Sequence, residues 1–224
     1  VYALMLPNIY RSEAIMMPVE NNSSSGIGGI MGQYASMASL AGISLPSGQS
    51  SKSKEAIARI QSFEFFSNNF LPNIMLENSL AVEKWNQASN SFSYDENIFN
   101  SELNKWVRKV EPPRSIIPSA QEAYNAYKEI MIVTEDKKTQ FVTFSIDHQS
   151  PFVAQKWVEI MIKQIDQVMR DVDRKEATKS VAYLNSLSPK VNYGEVKNAL
   201  SSLQQEQVKR LMMIEANENY IFKM

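Results

Sequence analysis

Cysteine is absent from the 224 residues, which excludes disulfides, thiolate nucleophiles and thiolate metal sites. Histidine occurs once, at His148, which makes an imidazole-built zinc centre a poor reading. Neither sign of charge dominates: 23 Lys and Arg stand against 24 Asp and Glu, a net charge of −1. The basic footprint that nucleic-acid binding requires is therefore missing. No run of about 18 apolar residues occurs, so any membrane span must lie outside this sequence. Glycine is scarce, and six of the seven fall between Gly26 and Gly48.

What is present is ordinary globular material, 44% hydrophobic and 21% charged, enough for one large domain or a domain with an elaboration. The first residues, Val1 to Leu6, carry neither an initiator methionine nor a basic, apolar, small-residue leader. The last, Tyr220 to Met224, carry no terminating signal. Both ends read as cuts through a larger protein.

Residues 9–17 alternate as a strand, with Tyr10, Ser12, Ala14 and Met16 on one side and Arg11, Glu13, Ile15 and Met17 on the other. Apolar groups on both sides near its end suggest cover on both faces. The stretch from Gly29 to Ala41 reads as a helix lined with small side chains, and Pro46 to Ser53 as a loop. Helix is expected from about Lys54 to Phe66, again from Asn73 to Trp85, and again from Asn97 to Val110, where Pro112-Pro113 follows. Ser119 and Glu122 form a capping box for a helix through about Glu129. A β-hairpin follows, with strands at 130–135 and 140–147 around Asp136 to Thr139.

Ser150-Pro151 supplies an N-cap and a proline at the first helical position. No glycine or proline then occurs until Pro189, so one helix of about 55 Å is expected. Its apolar positions are Val158, Met161, Ile165, Val168 and Val172, then Ala177, Val181 and Leu184 after a charged break at 173–176. That break turns the apolar side by about 140°, so the helix buries different sides in its two halves. A turn at 189–194 leads to a second helix from about Glu195 to Tyr220, with Val196, Leu200, Leu203, Leu211 and Ile214 on one face and Gln207 among them. The fold class is thus α+β. Residues 1–150 form an α/β base, with part of the following helix, and 151–224 a long antiparallel hairpin that projects and returns. Projecting apolar stripes want partners; Val172, Ala177, Val181, Leu184, Leu203, Leu211 and Ile214 are the candidate oligomer or hairpin contacts.

Chemistry-bearing patterns are weak. His148 follows Asp147, but neighbours in a strand face opposite ways, and no motif marks a nucleophile, so a structural role is favoured. Gly26 to Gly32 misses the dinucleotide fingerprint because Met31 stands at its third glycine, and Lys52-Ser53 lacks the phosphate-loop glycine. Asp171, Asp173 and Glu176 lie among Arg170, Arg174, Lys175 and Lys179, with Asp171 and Lys175 spaced as a helix-surface pair. Trp85, Trp106 and Trp157 could stack on sugars, but apolar helical surroundings favour packing. No catalytic, metal or cofactor residue is assigned, and no cofactor is expected.

Several stretches, in order, resemble the Wzz family of polysaccharide chain-length regulators: LPNIYRSEAI (6–15), SLAGI (39–43), KWVRKVEPP (105–113), SAQEAYNAYKE (119–129), the segment 136–158 ending PFVAQKWV, MRDVDRKEATKSVAYLN (169–185) and EANENYIFKM (215–224). Residues 187–195, LSPKVNYGE, depart from it. The resemblance implies a periplasmic domain between two bacterial inner-membrane helices, with a membrane-proximal base and a ring-like homo-oligomer. It implies partnership with the membrane polysaccharide polymerase, the growing glycan being a further candidate partner, and a non-enzymatic role in setting O-antigen length. An exopolysaccharide co-polymerase of a kinase-regulated export system and a periplasmic carbohydrate-active enzyme stay open as alternatives.

Overall fold

Strand β1 (Tyr10–Pro18) buries one set of alternating side chains, ending in Met16, and leaves Glu13, Ile15 and Met17 exposed. Its apolar end is thus covered on one face only. The computed structural model describes residues 7–19, 49–190 and 193–223, so the small-residue helix expected at 29–41 lies outside the described residues. Contacts divide the chain into two compact units, one drawn from Val1–Met17 and Ile57–Ile165, the other from Pro18–Ala56 and Asp166–Lys223. The division falls inside the long helix, fifteen residues beyond the 150/151 boundary read from sequence, and groups 18–56 with the hairpin.

Helix α1 (Gln49–Ile60) begins within the stretch expected to be loop and ends before Phe66. Nothing after Gly48 breaks a helix, whereas Ser62 stops one. Its hydroxyl donates to Arg59 O (2.6 Å) and accepts from Phe65 N (3.2 Å), capping α2 (Phe63–Phe65), which continues as a π-turn over Phe66–Phe70.

The helices expected at 73–85 and 97–110 are corrected. Only α3 (Leu76–Leu80) is helical there, and β2 (Val82–Asn86), β3 (Ser91–Tyr94), β4 (Phe99–Asn100) and β5 (Lys105–Trp106) make two small antiparallel hairpins. Asn and Asp decide the matter. Asn86 accepts from Ala88 N, Asp95 from Asn97 N and Asn100 from Leu103 N, at 2.7–2.9 Å. Asn90 and Asn104 take positive φ, 48° and 50°. Side chains that serve the backbone locally favour turns over helix. Trp85 faces Phe92 and Phe99 faces Trp106 across the strands, so both tryptophans sit in strands.

The predicted capping box is present: Ser119 accepts from Glu122 N, Glu122 accepts from Ser119 N, and α4 (Ala120–Ile130) follows. Arg108 reaches the same carboxylate with two bonds of 2.8 and 2.9 Å and also donates to Ser115 O and Ile116 O. The guanidinium, with Ser119 N–H, holds the Glu122 carboxyl down at about 2. The predicted hairpin is also present, as β6 (Met131–Glu135) and β7 (Val142–His148), with β7 flanked by β6 and β1, both antiparallel. Behind it lie Phe66, Phe70, Tyr127, Trp157, Met161 and Ile165, all buried. Ring centroids of Phe66, Phe70 and Tyr127 stand 4.8–6.0 Å apart.

Helix α5 (Pro151–Leu187) has the predicted extent. Ser150 stands at its cap position, with Ala154 N bonded to Ser150 O at 3.1 Å. The Ser150 hydroxyl does not cap, however; it is fully buried and has no hydrogen-bond partner among the described residues. The buried stripe runs Met161, Ile165, Met169, Asp173, Ala177, while Val168 and Val172 are only half-buried. Each four-residue step turns about 400°, so the buried side precesses by about 40° per step and about 160° in total. The change of side is therefore gradual, and an acid lies in its path.

In the second unit, α6 (Gly194–Ala216) runs antiparallel to α5. Asn185 meets Gln204, Asp173 meets Arg210 and Arg174 meets Glu215. Leu184 and Leu200 pack with Leu187 and Leu203. The second helix ends four residues before Tyr220; Asn217 begins a bend that carries Tyr220 and Ile221 into the interior, ahead of β8 (Phe222–Lys223). Among the described residues no helix is long and apolar enough to cross a membrane.

Candidate functional site

The most organised polar cluster of the hairpin unit surrounds Asp173, which is 6% exposed. Lys52 of α1 donates to it at 2.5 Å, Arg210 of α6 at 2.6 Å, and the Tyr220 hydroxyl closes the shell. Arg210 also holds Glu176 at 3.0 Å, and Lys52 donates to the Tyr220 oxygen at 3.2 Å. The step-of-four precession of α5 carries Asp173 inward between Met169 and Ala177; the bend after Ala216 brings in Tyr220. Burial alone would raise the Asp173 pKa, but Lys52, Tyr220 and Arg210 outweigh it and hold the carboxyl below its ordinary value. For Arg210, burial works against the charge, and Asp173 with Glu176 raises its pKa all the same. Burial and the bond to Asp173 push the Tyr220 phenol up. Asp173 is thus an anion and Tyr220 a neutral donor.

A second shell extends along the pair. Arg170 donates to Asp166 at 2.7 Å and caps the end of α6 through Ile214 O (2.5 Å) and Asn217 O (2.8 Å), its guanidinium lying over the Tyr220 ring. Asp166 accepts in turn from Tyr220 N and Ile221 N, at 2.7 and 3.1 Å. Asp171 pairs with Arg174 at 2.5 Å, where sequence spacing pointed to Lys175. Every one of these groups serves a protein partner. The arrangement ties the two helices, α1 and the bend after α6 to one another.

Of the contact residues expected from sequence, Ala177, Leu184 and Ile214 are buried within the chain itself, whereas Val172, Val181, Leu203 and Leu211 are half-buried. Leu203 packs on the Leu184–Leu200 pair. Val181 lines an open groove of about 580 Å³ with Asn185, Gln205, Val208, Lys209 and Met212. Val208 and Met212 are 39% and 65% exposed, and neither stood among the residues expected from sequence. Their i, i+4 spacing was the available signal.

His148 and Asp147 are separated as the strand pleat demands. Asp147 makes a bidentate pair with Arg11, at 2.7 and 2.8 Å. His148 is buried; Ser150 N donates to its Nδ1 at 2.9 Å, so Nε2 carries the proton and donates to Asn78 O, also at 2.9 Å. Burial pushes the imidazole below its ordinary value. Lys52 is engaged by Asp173, and the glycine run at 26–32 lies outside the described residues. Among the described residues no group of His, Cys, Asp and Glu is arranged to hold a metal ion. Trp157 is buried against Phe70 and His148, and Trp85 and Trp106 are half-buried against Tyr10 and Phe99.

Compared with known proteins, the chain matches no family model and no curated relative.

Proposed function

We propose that this chain is the periplasmic part of a Wzz-type polysaccharide co-polymerase of the bacterial inner membrane, a non-enzymatic scaffold that acts with the membrane polymerase to set O-antigen length. The observation that carries the reading is the antiparallel pair of 37-residue and 23-residue helices, with the exposed apolar side chains Val208 and Met212 beside Val181 on its outside. A helical rod with an apolar seam in water is closed most economically by another copy of itself.

In this reading the sheet of β6, β7 and β1, with its helices, is the membrane-proximal base, and flanking spans anchor the protein. Copies assemble as a ring, and the growing glycan meets the assembly. The ordered resemblance from 6–15 to 215–224 supports the family assignment, and the hairpin supports the scaffold mechanism. The mutual engagement of Lys52, Asp173, Glu176 and Arg210 accords with a structural role for the cluster. The gene deletion tests the reading: electrophoresed lipopolysaccharide should retain polymer but lose its modal length. A ladder with its mode intact sinks the proposal, as does release of new reducing ends from the glycan by the purified domain.

A further inference from the structure

We propose that the Asp173 cluster is an alignment device, which selects one register of α5 against α6 from several that their apolar residues would accept. The apolar part of the interface discriminates weakly. Ala177, Val181, Leu184 and Leu187 on one helix and Leu200, Leu203 and Ile214 on the other recur every three to four residues or multiples of that spacing. Apolar contact is non-directional, so a slide by one helical turn still sets leucine against leucine.

The polar contacts do not survive that slide. One turn moves Arg210 about 5.4 Å along the axis, beyond reach of Asp173, whose side chain is only 8% exposed. Arg210 would then lose its buried counter-charge and Asp173 one of its two cations, and a parted buried ion pair is heavily penalised. Two further elements hold the same carboxylate: Lys52 from α1, and Tyr220 from the bend after α6. A shifted α6 drags Tyr220 with it, while Lys52 stays with Asp173. The slide therefore breaks a three-cornered arrangement, not one pair.

Buried ion clusters stabilise little compared with apolar residues of equal size, and a single buried polar position can fix helix register. That combination is what an alignment device looks like. Register in turn decides which residues flank the groove at Val181 and Met212, and so what the outer surface presents.

The test exploits the absence of cysteine. Spin labels are attached at Gln167→Cys and Ser202→Cys, exposed positions far apart along the two helices, so that a slide along the axis changes their separation almost one for one, and the distance distribution is measured. The native cluster should give one distance. Replacing it by apolar groups of similar size, Lys52→Met with Asp173→Leu, Arg210→Met and Tyr220→Phe, should keep the helical content and add a second population shifted by about 5 Å. If that variant does not fold, Arg210→Met with Tyr220→Phe carries the same expectation, because both ties from α6 and the bend after it are removed while Lys52 still neutralises Asp173. A single unchanged distance in the folded variant overturns the proposal. Loss of fold in both also overturns it, since the cluster would then support stability and not choose a register. Neither result depends on the scaffold reading, which the glycan ladder tests separately.

Discussion

Gln207 and His148 are both buried polar side chains, yet their accounts differ. Gln207 is 1% exposed, and its Oε1 has no hydrogen-bond partner among the described residues. A buried acceptor left unmet costs about 1–3 kcal/mol, so Gln207→Leu should raise stability by about 1 kcal/mol, read as a higher urea midpoint with unchanged slope. His148 instead has both ring nitrogens satisfied in the neutral form. Its folded pKa lies below the ordinary 6.5, so the unfolded chain takes up the proton first. The stabilisation is complete above 6.5 and is lost as pH falls through the lower folded value, at a slope of up to about 1.4 kcal/mol per pH unit. Unfolding free energy measured at pH 7.5, 6.5 and 5.5 should show this decline in the parent and not in His148→Asn; equal slopes would refute it. Asp173 was visible in the sequence only as one acid among several. Its spacing of four from Met169 and from Ala177 was legible, but its burial was not, because an acid in an apolar stripe is tolerated only where partners from other elements arrive.

At the scale of elements, local chemistry decided what could be read in advance. The capping box of α4, the β6–β7 hairpin and the extent of α5 follow from side chains within a few residues of one another, and each took its expected form. Ser119→Ala should therefore cost about 1 kcal/mol, measured by denaturant unfolding, since it removes the acceptor for Glu122 N. Helix was expected over 73–85 and 97–110; the first stretch holds only the short helix α3 before strand β2, and the second folds as the β4–β5 hairpin. There the aromatic residues mimic a helical face, although in the structure they meet across strands, Trp85 with Phe92 and Phe99 with Trp106. Asn90 and Asn104 were the available warning, as residues that tolerate the left-handed region.

For the whole molecule the prediction concerns association. Met212 is 65% exposed, so Met212→Asp should leave the fold intact. It should weaken self-association by about tenfold, the cost of burying a carboxylate in an apolar seam. Val181→Asp should act in the same direction from the other helix. Sedimentation of each variant checks the first expectation, and the glycan ladder of complemented cells checks the consequence. Unchanged sedimentation and an unchanged ladder would remove this face from the account.

The sequence by itself determined a cysteine-free α+β chain, a sheet strand near the start, a capped helix before a hairpin, and two long helices joined by a short turn. These rest on periodicity and on caps whose partners lie within one turn of the chain. Tertiary structure alone decided that the buried side of α5 precesses by steps of four and that Lys52, Arg210 and Tyr220 converge on Asp173. It also decided that Ala177, Leu184 and Ile214 face inward while Val208 and Met212 face out. The reason is distance along the chain: Asp173 lies 121 residues from Lys52 and 47 from Tyr220, and no local pattern records which remote group will neutralise a buried charge.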